Sequence, residues 1–240
     1  MKDYNIFDSR LYVALPKGRL MERAYELFAQ AGLRSRAFEN GFDNGKYEYR
    51  GKGVTFWVQK APDVPGIVDA GDVDMGVCGF DSMREYQLSN VMPNGSMGGR
   101  NFVSGVVGDL GISEMNFCVA GKAAEREEYF DRIENDMPLV IATAYPKVMR
   151  AYFQKKYPNV LIDIAEWNGS VESGMKLCGA DAIFDIVETG NTLKKNGLQV
   201  FETAFGNATK LLLSRTALRK DKRVLKVAQQ IKQNVLKGEE

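Results

Sequence analysis

The feature that most constrains the fold is a regular alternation of short apolar runs with segments of helical periodicity. Short apolar runs bounded by turn residues predict buried strands, and apolar residues three or four apart predict helices. The predicted strands are residues 11–15, 54–58, 73–78, 117–120, 139–143, 160–165 and 182–187. The predicted helices include residues 20–31, 82–88, 123–133, 147–156, 170–177 and 192–196. This alternation predicts an α/β fold with mostly parallel sheets.

Residues 93–111 change character and are rich in Gly, Asn and Pro, which predicts a crossover between two lobes. The lobe beyond the crossover repeats the alternation of strands and helices. From Leu218 onward, apolar residues from Val224 to Val235 form one stripe with lysines opposite, the pattern of an amphipathic helix. A packing or subunit-contact role is the favoured interpretation, with a membrane-surface role as the alternative.

The composition excludes several kinds of chemistry, because the chain contains no histidine. Ser-His and Cys-His catalysis, His-ligated metals and imidazole acid–base chemistry are therefore absent. Cys78, Cys118 and Cys178 are widely spaced and odd in number, which argues against a zinc site or a disulfide framework and favours a reduced, cytoplasmic setting. Balanced charge, 32 basic against 31 acidic residues, argues against a nucleic-acid partner. No apolar run is long enough to cross a membrane, and residues 1–10 lack a signal core.

The strongest motif is Asp181-Ala-Ile-Phe-Asp-Ile-Val-Glu-Thr-Gly-Asn-Thr-Leu. A buried strand ends in acidic residues, and a small-residue turn then opens a helix, whose first N–H groups favour anions. Thr189 and Thr192 add hydroxyl donors, and Asp185 or Glu188 can accept hydrogen bonds from sugar hydroxyls. A phosphate pocket next to a ribose acceptor is the grouping that a phosphoribosyl ligand needs; the structural alternative, an ordinary strand–turn–helix with a threonine N-cap, stays open.

Three further segments lie at strand-to-helix junctions. Lys17 and Arg19 flank Gly18 where a helix begins, and cations placed against the helix dipole indicate an anionic ligand, with a solvated helix start as the alternative. Lys60 follows a strand and can reach a phosphate. Ser170 lies in Asn168-Gly-Ser-Val-Glu, where it also suits a helix N-cap. Neither nucleotide-binding glycine fingerprint is present after a strand.

These segments, in this order, resemble the ATP phosphoribosyltransferase family. The resemblance spans about residues 11–216 and is carried by Ala14-Leu-Pro-Lys-Gly-Arg-Leu, Asp63-Val-Pro, Asp74-Met-Gly-Val-Cys-Gly-Phe-Asp, Ile141-Ala-Thr-Ala-Tyr-Pro, Asn168-Gly-Ser-Val-Glu, Asp181 through Leu193, and Asn196-Gly-Leu. It implies a two-lobed fold like that of periplasmic binding proteins, with mostly parallel sheets and a central cleft. Lobe I would comprise residues 1–96 and 194–240, and lobe II residues 97–193.

The resemblance also implies a reaction: ATP and phosphoribosyl pyrophosphate give phosphoribosyl-ATP and pyrophosphate, the first step of histidine biosynthesis. Mg²⁺ is implied as cofactor, held by substrate oxygens and water rather than by protein side chains alone. The implied catalytic residues are Lys17, Arg19 and Asp185. The residues implied to bind phosphoribosyl pyrophosphate are Asp185, Glu188, Thr189, Gly190, Asn191 and Thr192. The candidates for ATP or pyrophosphate are Lys17, Gly18, Arg19, Lys60 and Ser170.

About 25 residues follow Thr216, and a C-terminal segment of this length resembles that of the short form of the family. The short form implies a homo-oligomer that works with a separate regulatory subunit resembling histidyl-tRNA synthetase. The chain departs from the common family pattern at Gln59-Lys60-Ala61, at Asn116 and at Ser173-Gly174. Two alternatives come from other classes: a two-lobed small-molecule binding or sensing module, and a catalytically weak paralogue that serves as a scaffold.

Overall fold

A computed structural model describes residues 10–41, 45–91, 95, 101–112, 115–167 and 169–238. The strands are β1 (Leu11–Pro16), β2 (Glu48–Gly51), β3 (Val54–Gln59), β4 (Met75–Gly79), β5 (Phe102–Val103), β6 (Met115–Lys122), β7 (Leu139–Thr143), β8 (Ile162–Glu166), β9 (Ala182–Val187), β10 (Leu198–Asn207) and β11 (Thr209–Ser214). The helices are α1 (Met21–Gln30), α2 (Arg36–Glu39), α3 (Val64–Asp69), α4 (Phe80–Ser89), α5 (Arg126–Glu134), α6 (Pro146–Lys156), α7 (Glu172–Leu177), α8 (Asn191–Lys195), α9 (Arg215–Lys220) and α10 (Lys222–Gly238). Ala61–Asp63 and Ala123–Glu125 form single 3₁₀ turns.

The chain forms two compact units, Met1–Ser113 with Ala208–Glu240, and Glu114–Asn207. The sheet of the first unit has the order β2-β3-β1-β4-β11-β5. Its centre is parallel, because β1 pairs with β3 on one side and β4 on the other. Asp74 joins β4 to β1 at their amino ends, where its carboxylate accepts the N–H of Tyr12 at 2.7 Å. Asp74 therefore ties the start of β4 to β1.

The apolar stripe of α10 packs into the core of the first unit. Val224, Ala228 and Ile231 are fully buried and belong to the same cluster as the apolar residues of α1 and β1. This packing confirms the interpretation of the amphipathic segment as a packing helix. No helix within the described ranges is long and apolar enough to cross a membrane.

The sheet of the second unit has the order β10-β6-β9-β7-β8. Here β7 is parallel to β8 and to β9, whereas β6 is antiparallel to both β9 and β10. One face carries a cluster formed by β6, β7, β9, α7 and α8, to which Ala142, Met175, Ile183 and Leu193 contribute. The opposite face is aromatic, with Phe117 stacked on Phe184 at a centroid distance of 5.1 Å.

The α/β fold with two sheets is confirmed, but the expectation of mostly parallel sheets needs correction. Both sheets are mixed, because β10 and β11 run antiparallel to β6 and β4. The sequence analysis missed both strands. In β10 the pairing with β6 shifts between Val200 and Glu202 and again between Thr203 and Phe205, and such irregularities break the alternating pattern that identifies a strand.

Because of the pairing of β10 and β11, the observed boundaries of the two units differ from the expected lobe boundaries. β5 pairs with β11 in the first sheet, so residues 101–112 belong with the first unit rather than with residues 97–193. β10 pairs with β6, so residues 198–207 belong with the second unit rather than with residues 194–240. Part of the expected crossover, residues 93–94 and 96–100, lies outside the described residues.

Candidate active site

Two neighbouring parallel strands of the first unit end beside each other. β1 and β3 pair in register from Leu11 with Val54 to Pro16 with Gln59. The N–H of Lys17 then donates to the carbonyl oxygen of Gln59 at 2.6 Å, so Lys17 and Lys60 follow adjacent strand ends. Carboxyl ends of parallel strands are the usual place for ligands in α/β sheets.

The turn from β1 into α1 contains the other candidates of this unit. The carbonyl oxygen of Gly18 accepts the N–H of Met21 at 3.1 Å, and Leu20 occupies the N-cap of α1 without a side-chain cap. The side chains of Lys17, Arg19 and Lys60 are exposed. The structure thus brings three cationic side chains to the carboxyl ends of β1 and β3. They lie next to the start of α1, which has no side-chain cap.

Sequence reasoning gave no site role to the next strand end, that of β4. β4 lies beside β1, and α4 follows it directly. Asp81 in the first turn of α4 is 8% exposed, and its carboxylate accepts the hydroxyl of Ser82 at 3.1 Å. The available signal was Gly79-Phe-Asp-Ser immediately after a buried strand, the same junction pattern that identified Lys17.

In the second unit, a side-chain hydrogen bond from β7 holds the middle of β9. The hydroxyl of Thr143 donates to the carbonyl oxygen of Phe184 at 2.7 Å and accepts the N–H of Tyr145 at 2.9 Å. These bonds explain why Thr143, which is fully buried, belongs in the segment Ile141-Ala-Thr-Ala-Tyr-Pro. The bond to Phe184 holds the backbone directly before Asp185.

The loop after β9 runs directly into α8. Gly190 occupies the N-cap with φ +71°, a left-handed conformation that glycine adopts without strain. The hydroxyl of Thr189 accepts the N–H of Asn191 at 3.4 Å, and no side chain caps α8. The alternative of a threonine N-cap is therefore not what this structure shows.

The same loop combines exposed polar groups with one buried anchor. Leu193 is 5% exposed and packs in the cluster with α7, whereas Glu188, Thr189, Asn191 and Thr192 are exposed. The packing of Leu193 thus holds the backbone of the loop in place, and the polar side chains stay accessible to a ligand.

Strand pairing places a row of polar residues beside Asp185. In β6, Cys118 lies opposite Asp185, and in β10, Thr203 lies opposite Cys118. Asn116, a departure from the family pattern, lies opposite Val187 and so faces the same side of the sheet, one step nearer the loop. Asn116 and Thr203 are exposed, and the sequence analysis gave neither a site role.

Ser170 precedes α7, which packs on the same face of the sheet as α8. Its carbonyl oxygen accepts the N–H of Ser173 at 3.0 Å, but the N-cap of α7 is Val171 and no side chain caps the helix. Ser170 is exposed, and the capping alternative is not realised; Asn168 lies outside the described residues.

The second departure in this region, Ser173-Gly174, has a packing reason. A Cβ on Gly174 would lie 2.7 Å from the Cβ of Ala142 in β7, closer than two carbon atoms can approach. Glycine at this position lets α7 pack directly against the sheet.

The thiols near these groups are unsuited to act as nucleophiles. Burial raises the pKa of Cys118, against a smaller opposing effect of its contact with the Thr203 hydroxyl. Burial likewise raises the pKa of Cys78, and the negative charge of the nearby Asp81 carboxylate raises it further. Both thiols stay protonated near neutral pH. Within the described ranges, no group of three or more Asp, Glu or Cys side chains is placed to hold a metal ion.

The predicted site residues therefore form two groups, each described within its own unit. The first group follows the carboxyl ends of β1 and β3 and comprises Lys17, Gly18, Arg19 and Lys60. Asp185 through Thr192 follow β9 in the second unit, and Ser170 precedes α7 there.

Comparison with known proteins identifies relatives of nearly the same length. The family model described as ATP phosphoribosyltransferase matches residues 60–233. The ATP phosphoribosyltransferase of Aquifex aeolicus is 37% identical over 202 residues, which are 84% of this chain and 83% of that protein.

Two solved structures share the fold. A chain in the ATP phosphoribosyl transferase (HisG:HisZ) complex from Thermotoga maritima aligns with a TM-score of 0.69 and 25% identity, covering 95% of this chain and 99% of that chain. An amino acid ABC transporter substrate-binding protein from Streptococcus pneumoniae bound to L-arginine aligns with a TM-score of 0.52 at 15% identity, covering 94% and 89% of the two chains. The second likeness concerns the fold alone and confirms the expected resemblance to periplasmic binding proteins.

Proposed function

This chain belongs to the ATP phosphoribosyltransferase family, and from that premise we propose which of its residues carry out the family's reaction. The protein is a pentosyltransferase that joins the phosphoribosyl group of phosphoribosyl pyrophosphate to the adenine ring of ATP, the first step of histidine biosynthesis.

We propose that the loop after β9 binds the phosphoribosyl group. The observation that carries this assignment is the arrangement at the end of β9, with a half-buried carboxylate at Asp185 followed by accessible hydroxyls at Thr189 and Thr192. Asp185 accepts hydrogen bonds from the ribose hydroxyls. Glu188, Thr189, Gly190, Asn191 and Thr192 surround the 5-phosphate. Charge-assisted hydrogen bonds of this kind are the strong ones.

The cationic side chains at the carboxyl ends of β1 and β3 are assigned to the phosphates of pyrophosphate or ATP. Lys17, Arg19 and Lys60 bind the pyrophosphate or the ATP phosphates, with the backbone of Gly18 beside them. The support is the adjacency of Lys17 and Lys60 at paired strand ends. Ser170, exposed at the start of α7, is a further candidate for the same phosphates.

The reaction needs no covalent intermediate on the protein. A ring nitrogen of adenine forms a bond to the anomeric carbon while the bond from that carbon to the pyrophosphate oxygen breaks, and the electron pair leaves with pyrophosphate. The side chains position the reactants and stabilise charge: Asp185 holds the ribose, and Lys17 and Arg19 neutralise the leaving group. The absence of histidine and the protonated state of the buried thiols agree with this chemistry.

Mg²⁺ is proposed as the cofactor. The cationic donor set around Lys17 and Lys60 suits phosphate oxygens rather than a bare metal ion, so the ion fits when it arrives bound to the substrate's pyrophosphate and water. When bound there, Mg²⁺ supplies additional charge neutralisation to the leaving group.

The direct test is release of pyrophosphate from ATP and phosphoribosyl pyrophosphate by the purified protein. Turnover should fall strongly in Asp185→Asn and stay unchanged in Asp131→Asn, an exposed aspartate in α5 that has no proposed role. Equal turnover in the two variants would contradict the role of Asp185. No turnover in the natural protein would favour a binding module or a scaffold.

We also propose that the protein self-associates and works with a separate regulatory subunit that resembles histidyl-tRNA synthetase. The support for a second subunit is the likeness to a chain of the HisG:HisZ complex over nearly its whole length. Histidine should inhibit the chain poorly by itself and strongly once that subunit is added. Saturable inhibition without a partner would contradict the proposal. The cytoplasm is the proposed location, in keeping with three unpaired cysteines.

A further inference from the structure

The edge of the second sheet formed by β8 offers an open row of backbone groups. Among the described strands, β8 pairs only with β7 and ends the sheet order. The outward N–H and C=O groups of such an edge can pair with another strand, and proteins commonly protect such edges with charged side chains, proline or a bulge. β8, Ile162-Asp-Ile-Ala-Glu, carries two carboxylates but no lysine or proline, and its pairing with β7 is regular.

An apolar groove runs along this edge between β8 and α6. Its lining combines the buried Phe153 and Val160 with the half-buried Ile162 and Ile164. Leu161, the residue immediately before β8, also lines the groove and is 65% exposed. The edge therefore combines open hydrogen-bonding groups with accessible apolar surface.

The groove and the adjacent end of β8 together carry one charge of each sign. Arg150 on α6 lines the groove, and Glu166 ends β8 on the same face of the sheet as Ile162 and Ile164. Within the part of the chain that the structure describes, neither Arg150 nor Glu166 makes an ion pair, and both side chains are exposed. Each edge thus presents a cation and an anion at separate places along one face.

We propose that this edge binds the same edge of a second copy of the chain, through antiparallel pairing of β8 with β8 about a two-fold axis. With Ile164 opposite itself, Glu166 of one copy lies opposite Ile162 of the other, on the face where Arg150 lines the groove. Two reciprocal Arg150–Glu166 ion pairs then form, and Leu161 is covered. Pairing with Asp163 opposite itself would juxtapose like charges, which disfavours that register.

The choice of a second copy, rather than another protein, follows from this self-complementarity. An isologous interface requires that one surface match itself, and here the charges, the apolar residues and the strand direction all satisfy that requirement. The inference rests on the proposed self-association and adds the surface that mediates it.

A charge swap tests the interface. Sedimentation velocity and multi-angle light scattering of the full chain, over a range of concentrations, give the dissociation constant of the smallest oligomer. Arg150→Glu and Glu166→Arg should each weaken association about tenfold or more, because each places like charges together twice per dimer. The double variant should restore association to within about threefold of the natural protein, since it re-forms both pairs with reversed signs.

Two further variants complete the design. Lys155→Glu changes an exposed cation on another face of α6 and should leave the dissociation constant unchanged. Leu161→Asp should weaken association through the apolar contact, and circular dichroism melts establish that each variant is folded. Single variants that associate like the natural protein, or a double variant that does not recover, would overturn the interface while leaving self-association intact. A natural protein that stays monomeric would overturn both, and the separate measurement of pyrophosphate release would still decide the catalytic proposal.

Discussion

The backbone N–H of Lys17 donates a hydrogen bond to the carbonyl oxygen of Gln59 at 2.6 Å. This bond extends the pairing of β1 with β3 by one residue and fixes the chain just where two lysines, Lys17 and Lys60, leave the sheet. Neither ammonium group makes an ion pair within the described residues, and both are exposed. Like charges held side by side disfavour each other, and an anionic ligand removes that repulsion.

Replacement of either lysine should therefore weaken binding of phosphates. We expect Lys17→Ala and Lys60→Ala each to reduce the affinity for pyrophosphate by about tenfold or more, the effect of losing a hydrogen bond to a charged group. Product inhibition by pyrophosphate provides the measurement. Lys52→Ala is the matched control, because Lys52 is an exposed lysine in the turn between β2 and β3 of the same sheet. Similar inhibition constants for all three variants would count against this phosphate site.

The hydroxyls after β9 provide a second test. Thr192 is exposed in the first turn of α8, where the 5-phosphate is proposed to bind. We expect Thr192→Val to weaken binding of phosphoribosyl pyrophosphate by about 1.5–3 kcal/mol, measured by titration calorimetry. Thr216→Val, an exposed threonine on α9, should have no effect. Unchanged affinity in Thr192→Val would show that the phosphate lies elsewhere.

The close approach of α7 to β7 predicts a stability effect. A Cβ at Gly174 would meet that of Ala142 at 2.7 Å, so Gly174→Ala should lower the free energy of unfolding by about 1–3 kcal/mol despite the better helix propensity of alanine. Urea denaturation measures the change. Gly105→Ala is the control, because its added Cβ would have no neighbour within 4 Å. Equal stability of the two variants would show that α7 can move away from the sheet at little cost.

The alkaline stability of the first unit should depend on Tyr86. Burial and the hydrogen bond from its hydroxyl to the Asp69 carboxylate, 2.9 Å long, raise the pKa of Tyr86 to about 12. An unfolded tyrosine titrates near pH 10, so the folded state holds this proton more tightly. The stabilisation is complete below pH ~10 and is lost as the pH rises towards about 12.

Tyr86→Phe should thus be less stable than the natural protein at pH 8, and the difference should shrink above pH ~10. Urea denaturation from pH 8 to 11 measures it. The exposed Tyr47 gives the control variant, Tyr47→Phe, which should have little effect on stability. A stability difference for Tyr86→Phe that grows with pH would contradict the assignment.

The absence of histidine predicts the pH dependence of the rate. No imidazole titrates near pH ~6.5, so the rate between pH 6 and 8 should follow the ionisation of the substrate phosphates or their metal complex. Rate profiles at saturating and limiting substrate provide the measurement. A steep change in this range that a side-chain substitution abolishes would contradict the proposed chemistry.

Local patterns were sufficient for elements whose burial repeats at short range. The apolar run at residues 11–15 became β1, and the stripe from Val224 to Ile231 became the buried face of α10. They failed for β10, because its two register shifts against β6 arise from pairing with a strand far away in sequence. The expected lobe boundaries were wrong for the same reason, since the pairing of distant strands decides to which unit a segment belongs.

For the site, the sequence by itself determined the chemical types and the junctions at which they occur. The absence of histidine, the acidic end of the segment from Asp181 to Leu193, and the Lys17-Gly-Arg turn all follow from residue identity and local spacing. Only the tertiary structure decided that Lys17 lies beside Lys60, that Asn116 and Thr203 share a sheet face with Asp185, and that Gly174 lies against Ala142. The physical reason is that strand register and close packing depend on contacts between residues far apart in the chain, which no local pattern encodes.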